Sequence, residues 1–178
     1  VYSLYIFWIS LTNYMPVYYS QAGISLIPIG IILFLFGALG GAAGFITGYL
    51  NDRFKKGHLI VQISLALSLP CLYFIFIPSI SISIILLVLA GIFLIPIQPV
   101  CIRIAQHLLP KNMGLASSLI LGLSSGLAGI TLIPLGKLAD RIGIAALIRG
   151  EMVFLILSIA LLFFYPLVAK KTGAKNSK

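Results

Sequence analysis

Long apolar runs separated by short polar breaks set the pattern of this chain. The runs cover about residues 1–19, 28–50, 58–77, 81–109, 113–135 and 144–168. One crossing of a bilayer takes ~20 mostly apolar residues in a helix, so the pattern predicts six transmembrane helices within residues 1–169 and a basic tail over 170–178. Local signals mark the ends of the runs. Tyr14, Tyr18 and Tyr19 cluster near the end of the first, as in an aromatic belt at a membrane interface. Pro28 opens the second, Pro78 stops the third, Pro96 and Pro99 interrupt the fourth, and Pro134 lies near the end of the fifth.

Composition agrees with an all-α integral membrane protein. Hydrophobic residues make up 61% and charged residues 8% of the chain, where a soluble domain carries about a quarter charged residues. The net charge of +9 raises nucleic acid as a partner, but the basic residues sit at the ends of apolar runs instead of forming a stripe on polar surface. The expected partner is therefore the lipid bilayer. Cys71 and Cys101 are isolated within runs, no CxxC or HExxH occurs, and His58 and His107 have no ligand-type neighbours in sequence, so no metal, disulfide or cofactor is expected. The first residue is Val and no basic segment precedes the first run, so no signal peptide is read; the chain reads as a fragment or truncated frame that begins inside a span.

Charge then orients the spans. One set of alternate connections collects Arg53, Lys55, Lys56, Lys111, Lys170, Lys171, Lys175 and Lys178; the other collects Lys137 and Arg141, with Arg149 near the start of the last run. The positive-inside rule puts the first set, and the C-terminal tail, in the cytoplasm of a multi-pass plasma-membrane protein.

A short pattern occurs twice. Gly48-Tyr49-Leu50-Asn51-Asp52-Arg53 closes one run and Gly136-Lys137-Leu138-Ala139-Asp140-Arg141 closes another, with Gly, Leu, Asp and Arg in register 88 residues apart (136 − 48). Three spans fit in that interval, so the copies fall on opposite faces, as two inverted three-helix repeats would place them. The alternative is that Asp-Arg after a span is only how a helix leaves lipid.

With these residues in view, the sequence resembles the C-terminal six-helix half of a major facilitator superfamily transporter, whose signature loop reads roughly Gly-x-Leu-x-Asp-Arg-Phe-Gly-Arg-Arg. Gly48, Leu50, Asp52, Arg53 and Phe54 match it, and Lys55 stands where the second glycine is usual. The stretches Ala105 to Pro110, Met113 to Ser118 and Gly136 to Gly143 resemble the fosmidomycin-resistance-like branch of efflux carriers, with His107 where members often carry an acid. The resemblance implies half of a twelve-helix secondary transporter working by alternating access, an N-terminal six-helix half outside this chain, and a small-molecule substrate. It also implies a gating loop made of Gly48, Asp52, Arg53 and Lys56. Its path-lining helices would be the first, second, fourth and fifth, which makes Asn13, Tyr14, Ser124 and Ser125 candidates for the substrate path.

Several residues carry physical arguments of their own. Asp52 ends a helix, where the macrodipole is already negative, so it needs a cation or another helix's N-terminus; a neighbouring Arg53 or Lys would serve as well as a gate. Gly40, Gly44 and Gly48 recur every fourth residue, as do Gly114, Ser118, Gly122 and Gly126. Such faces let helices approach closely in lipid, either within this bundle or against the missing half. Arg103 lies about 10 Å inside the fourth run at 1.5 Å per residue, where it either snorkels to the interface or faces a cavity and attracts a polar or anionic substrate. Gln98, between Pro96 and Pro99, is a polar side chain at a broken helix and a substrate candidate. Glu151 and Arg149 are expected on the periphery as a local pair or interfacial anchors, so a proton-driven mechanism would find its titrating acid in the other half.

The leading expectation is a transporter, read as a drug or metabolite exporter, an antiporter of the drug-resistance type with proton coupling open. The alternatives are an importer of a small organic anion and a six-span scaffold that moves nothing. An enzyme is not expected, because only three acids exist and both histidines lie near helix ends.

Overall fold

Short non-helical links at 22–25, 75–79 and 143 separate successive helices among the described residues. The computed structural model describes residues 2–54 and 57–173, with side chains except at 108 and 161–173. Among the described residues all regular structure is helical: α1 (Tyr2–Gln21), α2 (Leu26–Phe54), α3 (Gly57–Phe74), α4 (Ile80–Leu94), α5 (Ile97–Leu108), α6 (Met113–Ser118), α7 (Ser124–Ile142) and α8 (Ile144–Gly173). A 3-10 turn at Pro110–Asn112 leads into α6, and a π turn at Leu119–Leu123 joins α6 to α7.

Proline explains the break between α4 and α5. Pro96 has no N–H to bond back and its ring crowds the preceding turn. Ile95 N–H still reaches Gly91 O at 3.0 Å, but Gln98 N–H bonds to Ile95 O at 3.3 Å, one residue short of an α-helical bond. Pro16, Pro70 and Pro134 stay inside helices. Glycine shapes the turn after α1: Gly23, at φ +86°, bonds to Ser20 O while Ile24 N–H bonds to Tyr19 O, the two reverse bonds of a Schellman cap.

The helices outrun the apolar segments. α2 continues through Phe54 and α7 through Ile142, because backbone hydrogen bonding does not stop where the apolar run stops. Gly48, Asp52 and Arg53 therefore lie in the last turns of a helix and not in a loop, and so does the second copy from Gly136 to Arg141. Lys55 and Lys56 lie outside the described residues. The tail expected from 170 begins within α8, and residues 174–178 lie outside the description.

Four helical stretches among the described residues are long and apolar enough to cross a membrane: Leu26–Phe54, Gly57–Phe74, Ile80–His107 and Pro110–Ile142. The described residues are thus all-helical, with helices of the length and hydropathy that a membrane protein requires. α1 falls outside these four because Ser3, Ser10, Thr12, Asn13 and five tyrosines dilute its hydropathy.

Burial concentrates where α1, α3, α4 and α8 meet, with α2 against α4. α1 contributes Phe7, Leu11, Met15 and Tyr19, one every fourth residue, and α3 contributes Val61, Leu65 and Leu72. α4 adds Leu87, Ala90 and Leu94, and α8 adds Ile148, Met152 and Leu155. α2 and α4 touch at two glycines. A Cβ on Gly40 would stand 2.7 Å from Gly91 O, and one on Gly91 would stand 2.8 Å from Phe36 O, so neither position has room for a side chain. The stretch from α6 to α7 buries little, with Ala116, Ala128 and Ala139 inside.

Candidate functional site

The end of α2 is tied to α5 by charge. Arg103 Nη2 and Asp52 Oδ1 form an ion pair at 3.0 Å, with side chains 52% and 46% exposed. The guanidinium answers the unfavourable position of an acid at a helix C-terminus. Arg53 points the other way and bonds to Tyr49 Oη at 3.4 Å. At the start of α3, Gly57 takes the tight spot: a Cβ there would meet Asn51 Oδ1 at 2.8 Å and Val100 Cγ1 at 3.2 Å. The glycine expected two residues earlier is thus displaced along the turn, and it brings α3 hard against α5.

A second feature sits beside the broken helix. Leu4, Tyr5, Trp8, Gly37, Leu94, Ile95 and Gln98 line a mostly apolar cavity of about 200 Å3 between α1, α2 and the α4–α5 break. Gln98 Nε2 donates to Tyr5 Oη across it. The proline break opens space beside Gly37, where a Cβ would meet nothing within 4 Å. The cavity therefore offers aromatic faces with one polar pair on its wall, an arrangement suited to an apolar or aromatic molecule with a hydrogen-bonding group.

A third polar feature joins α1 to α8. Ser3 Oγ and Ser158 Oγ lie 2.7 Å apart, and Ser10 Oγ donates to Glu151 Oε1 at 2.8 Å. Each helix advances seven residues between the two contacts (10 − 3 and 158 − 151), two helical turns in an antiparallel register. Glu151 is 3% exposed, and its Oε2 has no hydrogen-bond partner among the described residues. This corrects the expectation of a peripheral pair with Arg149. Position 151 shares the inward face of α8 with Ile148, Met152 and Leu155, while Arg149 turns outward, 6.0 Å from the centre of the Tyr73 ring and 5.8 Å from that of Phe76.

The family model of the Major Facilitator Superfamily matches residues 1–130, well over half of the chain. The chain belongs to this superfamily. A similar protein is the uncharacterized MFS-type transporter YfnC of Bacillus subtilis (strain 168), 34% identical over 118 residues, which cover 64% of this chain and 27% of the relative. The chain thus matches little more than a quarter of that relative's length. Membership agrees with the long apolar helices of a membrane protein and points away from an enzyme.

The remaining candidates of this superfamily member are scattered. Asn13 Nδ2 is occupied by Ile9 O of its own helix at 2.7 Å, and Tyr14 donates to Leu132 O of α7 at 3.2 Å. Ser125 bonds to Leu121 O and Gly122 O, carbonyls around the π turn, while Ser124 is half-buried beside it. Ser118 bonds back to Leu115 O at 3.0 Å. Of the small residues, Gly40 packs on Gly91 within the bundle, whereas Gly44, Gly48, Gly114, Gly122 and Gly126 have nothing within 4 Å of where a Cβ would stand. Sequence reasoning passed over Tyr5, Trp8 and Gly91. The aromatic residues with polar tips inside an apolar run were a usable signal for the first two; Gly91 stands alone in its run and gave none.

Proposed function

We propose that this chain is the C-terminal half of a secondary transporter that works by alternating access. In this reading six spans form two inverted three-helix repeats, and the half belongs to the fosmidomycin-resistance-like efflux branch. It exports a drug or small metabolite across the plasma membrane, with its C-terminus in the cytoplasm and a proton gradient as the driving force. The carrying observation is the Asp52–Arg103 pair, which ties the end of α2 to the helix beyond the proline break. An exposed ion pair is worth only about 0.2–1 kcal/mol in double-mutant cycles. A contact of that strength holds one state and breaks in another without a large barrier, as a gate requires.

Two further features support the reading. The cavity at Tyr5, Trp8 and Gln98 gives a substrate path a binding wall. The open glycines on α2, α6 and α7 suit a close-packed N-terminal half. A scaffold has no use for a broken helix beside a cavity, and an importer of organic anions would want Arg103 unpaired. The test is a drug-susceptibility and accumulation panel in cells expressing the complete protein. Lowered accumulation of at least one compound supports export; raised uptake of an organic anion would replace it with import.

A further inference from the structure

Among the described residues Glu151 is the charged residue type that is buried, at 3% exposure. One oxygen takes a single hydrogen bond, from Ser10, and the other takes none. An ionised carboxylate in such a place lacks the cation and donors that offset its desolvation, whereas a proton on Oε2 removes the charge.

The surroundings of Glu151 can be named helix by helix. From α1, Ser10 bonds to it and Tyr14 lies within its electrostatic reach. From α7, Asp140 acts on the same Tyr14 and is itself exposed, as are Lys137 and Arg141. From α3, Ser68 is bonded to Leu65 O, Cys71 leans on Leu67 O, and Tyr73 lies under Arg149. His58 lies in the first turn of α3, roughly 20 Å along the helix from Tyr73 at 1.5 Å per residue. On α8 itself Arg149 faces outward, so no ion pair to Glu151 forms among the described residues.

We propose that Glu151 is a reversible proton-binding site in the seam between α1 and α8, with Ser10 holding the carboxyl in place. This gives the proton-driven reading of the transporter a site within this chain, and it rests on that reading for its biological use. The step is a proton transfer alone. An O–H bond forms at Oε2 as a hydronium ion gives up its proton to become water, and the reverse transfer empties the site.

The test is a pH titration of the complete protein in liposomes, followed by infrared difference spectroscopy. The wild type should show the C=O stretch of a protonated carboxylic acid that disappears as pH rises. That band should be lost entirely in Glu151→Gln and displaced in frequency in Ser10→Ala, which keeps the acid but loses its hydrogen bond. Superimposable wild-type and Glu151→Gln spectra overturn the proposal. Should Glu151→Gln fail to fold, Ser10→Ala decides alone, and an unmoved band overturns it. Because the titration needs no substrate, its failure leaves the transporter reading standing, and a failed susceptibility panel leaves the titration intact.

Discussion

Asp52 in the last turn of α2 and Arg103 in α5 meet at 3.0 Å although 51 positions separate them (103 − 52). Both side chains are half-exposed, so the pair joins two helix ends at the surface without being locked into a core. Neutralising either partner should change the stability of the protein by less than about 1 kcal/mol, while transport falls several-fold. Asp52→Asn and Arg103→Gln, compared by thermal melting in detergent and by efflux in cells, check this. The charge-reversed double variant Asp52→Arg/Arg103→Asp should recover part of the lost transport; unchanged efflux in both single variants would exclude the gate.

The glycine contact between α2 and α4 separates packing from partner surface. Gly40→Ala pushes a methyl group toward a backbone carbonyl, 2.7 Å away before relaxation. Overpacking of this kind costs roughly 1–3 kcal/mol. Gly122→Ala enters open space and should leave the melting temperature of the protein unchanged. Equal destabilisation by both substitutions would contradict the assignment of Gly40 to the bundle interior.

The cavity wall makes a third prediction. Gln98→Ala removes the polar partner of Tyr5, and one neutral hydrogen bond contributes about 0.5–1.5 kcal/mol. The apparent KM for an exported compound should rise several-fold, with Trp8→Ala acting in the same direction. Asn13→Ala should have no such effect, since Asn13 is satisfied by its own helix. Transport kinetics on the three variants distinguish a cavity that touches substrate from a gap in packing.

Gly143 ends α7 at φ +87° and ψ 152°, a conformation essentially reserved for glycine. Gly143→Ala should destabilise the protein by about 1–3 kcal/mol through backbone strain alone. No side chain crowds the site, so a melting temperature equal to wild type would mean that the turn relaxes freely.

Much of the helical layout was legible because each apolar run is long and its breaks contain proline or glycine. The exact ends were not, since Asp52 and Asp140 look like loop residues by polarity yet continue their helices. Which face of a helix turns inward was hidden for a simple reason: α2 and α4 are apolar on every side, so no contrast marks the core. Asp52 and Arg103 each stood out as costly charges, but nothing local joins two residues 51 positions apart (103 − 52). Glu151 was misjudged because an acid near the start of an apolar run looks interfacial, and only the α1–α8 register shows it facing inward.

The π turn at Leu119–Leu123 falls within the series Gly114, Ser118, Gly122 and Gly126. In an unbroken α-helix positions four apart drift by about 40° per step, so the ends of that series would lie about 120° apart around the axis. A turn closed by i→i+5 bonds winds more slowly and takes back part of that drift. The four small residues are thereby drawn toward a single line, and a neighbouring helix would meet a straight rail where it would otherwise meet a spiral.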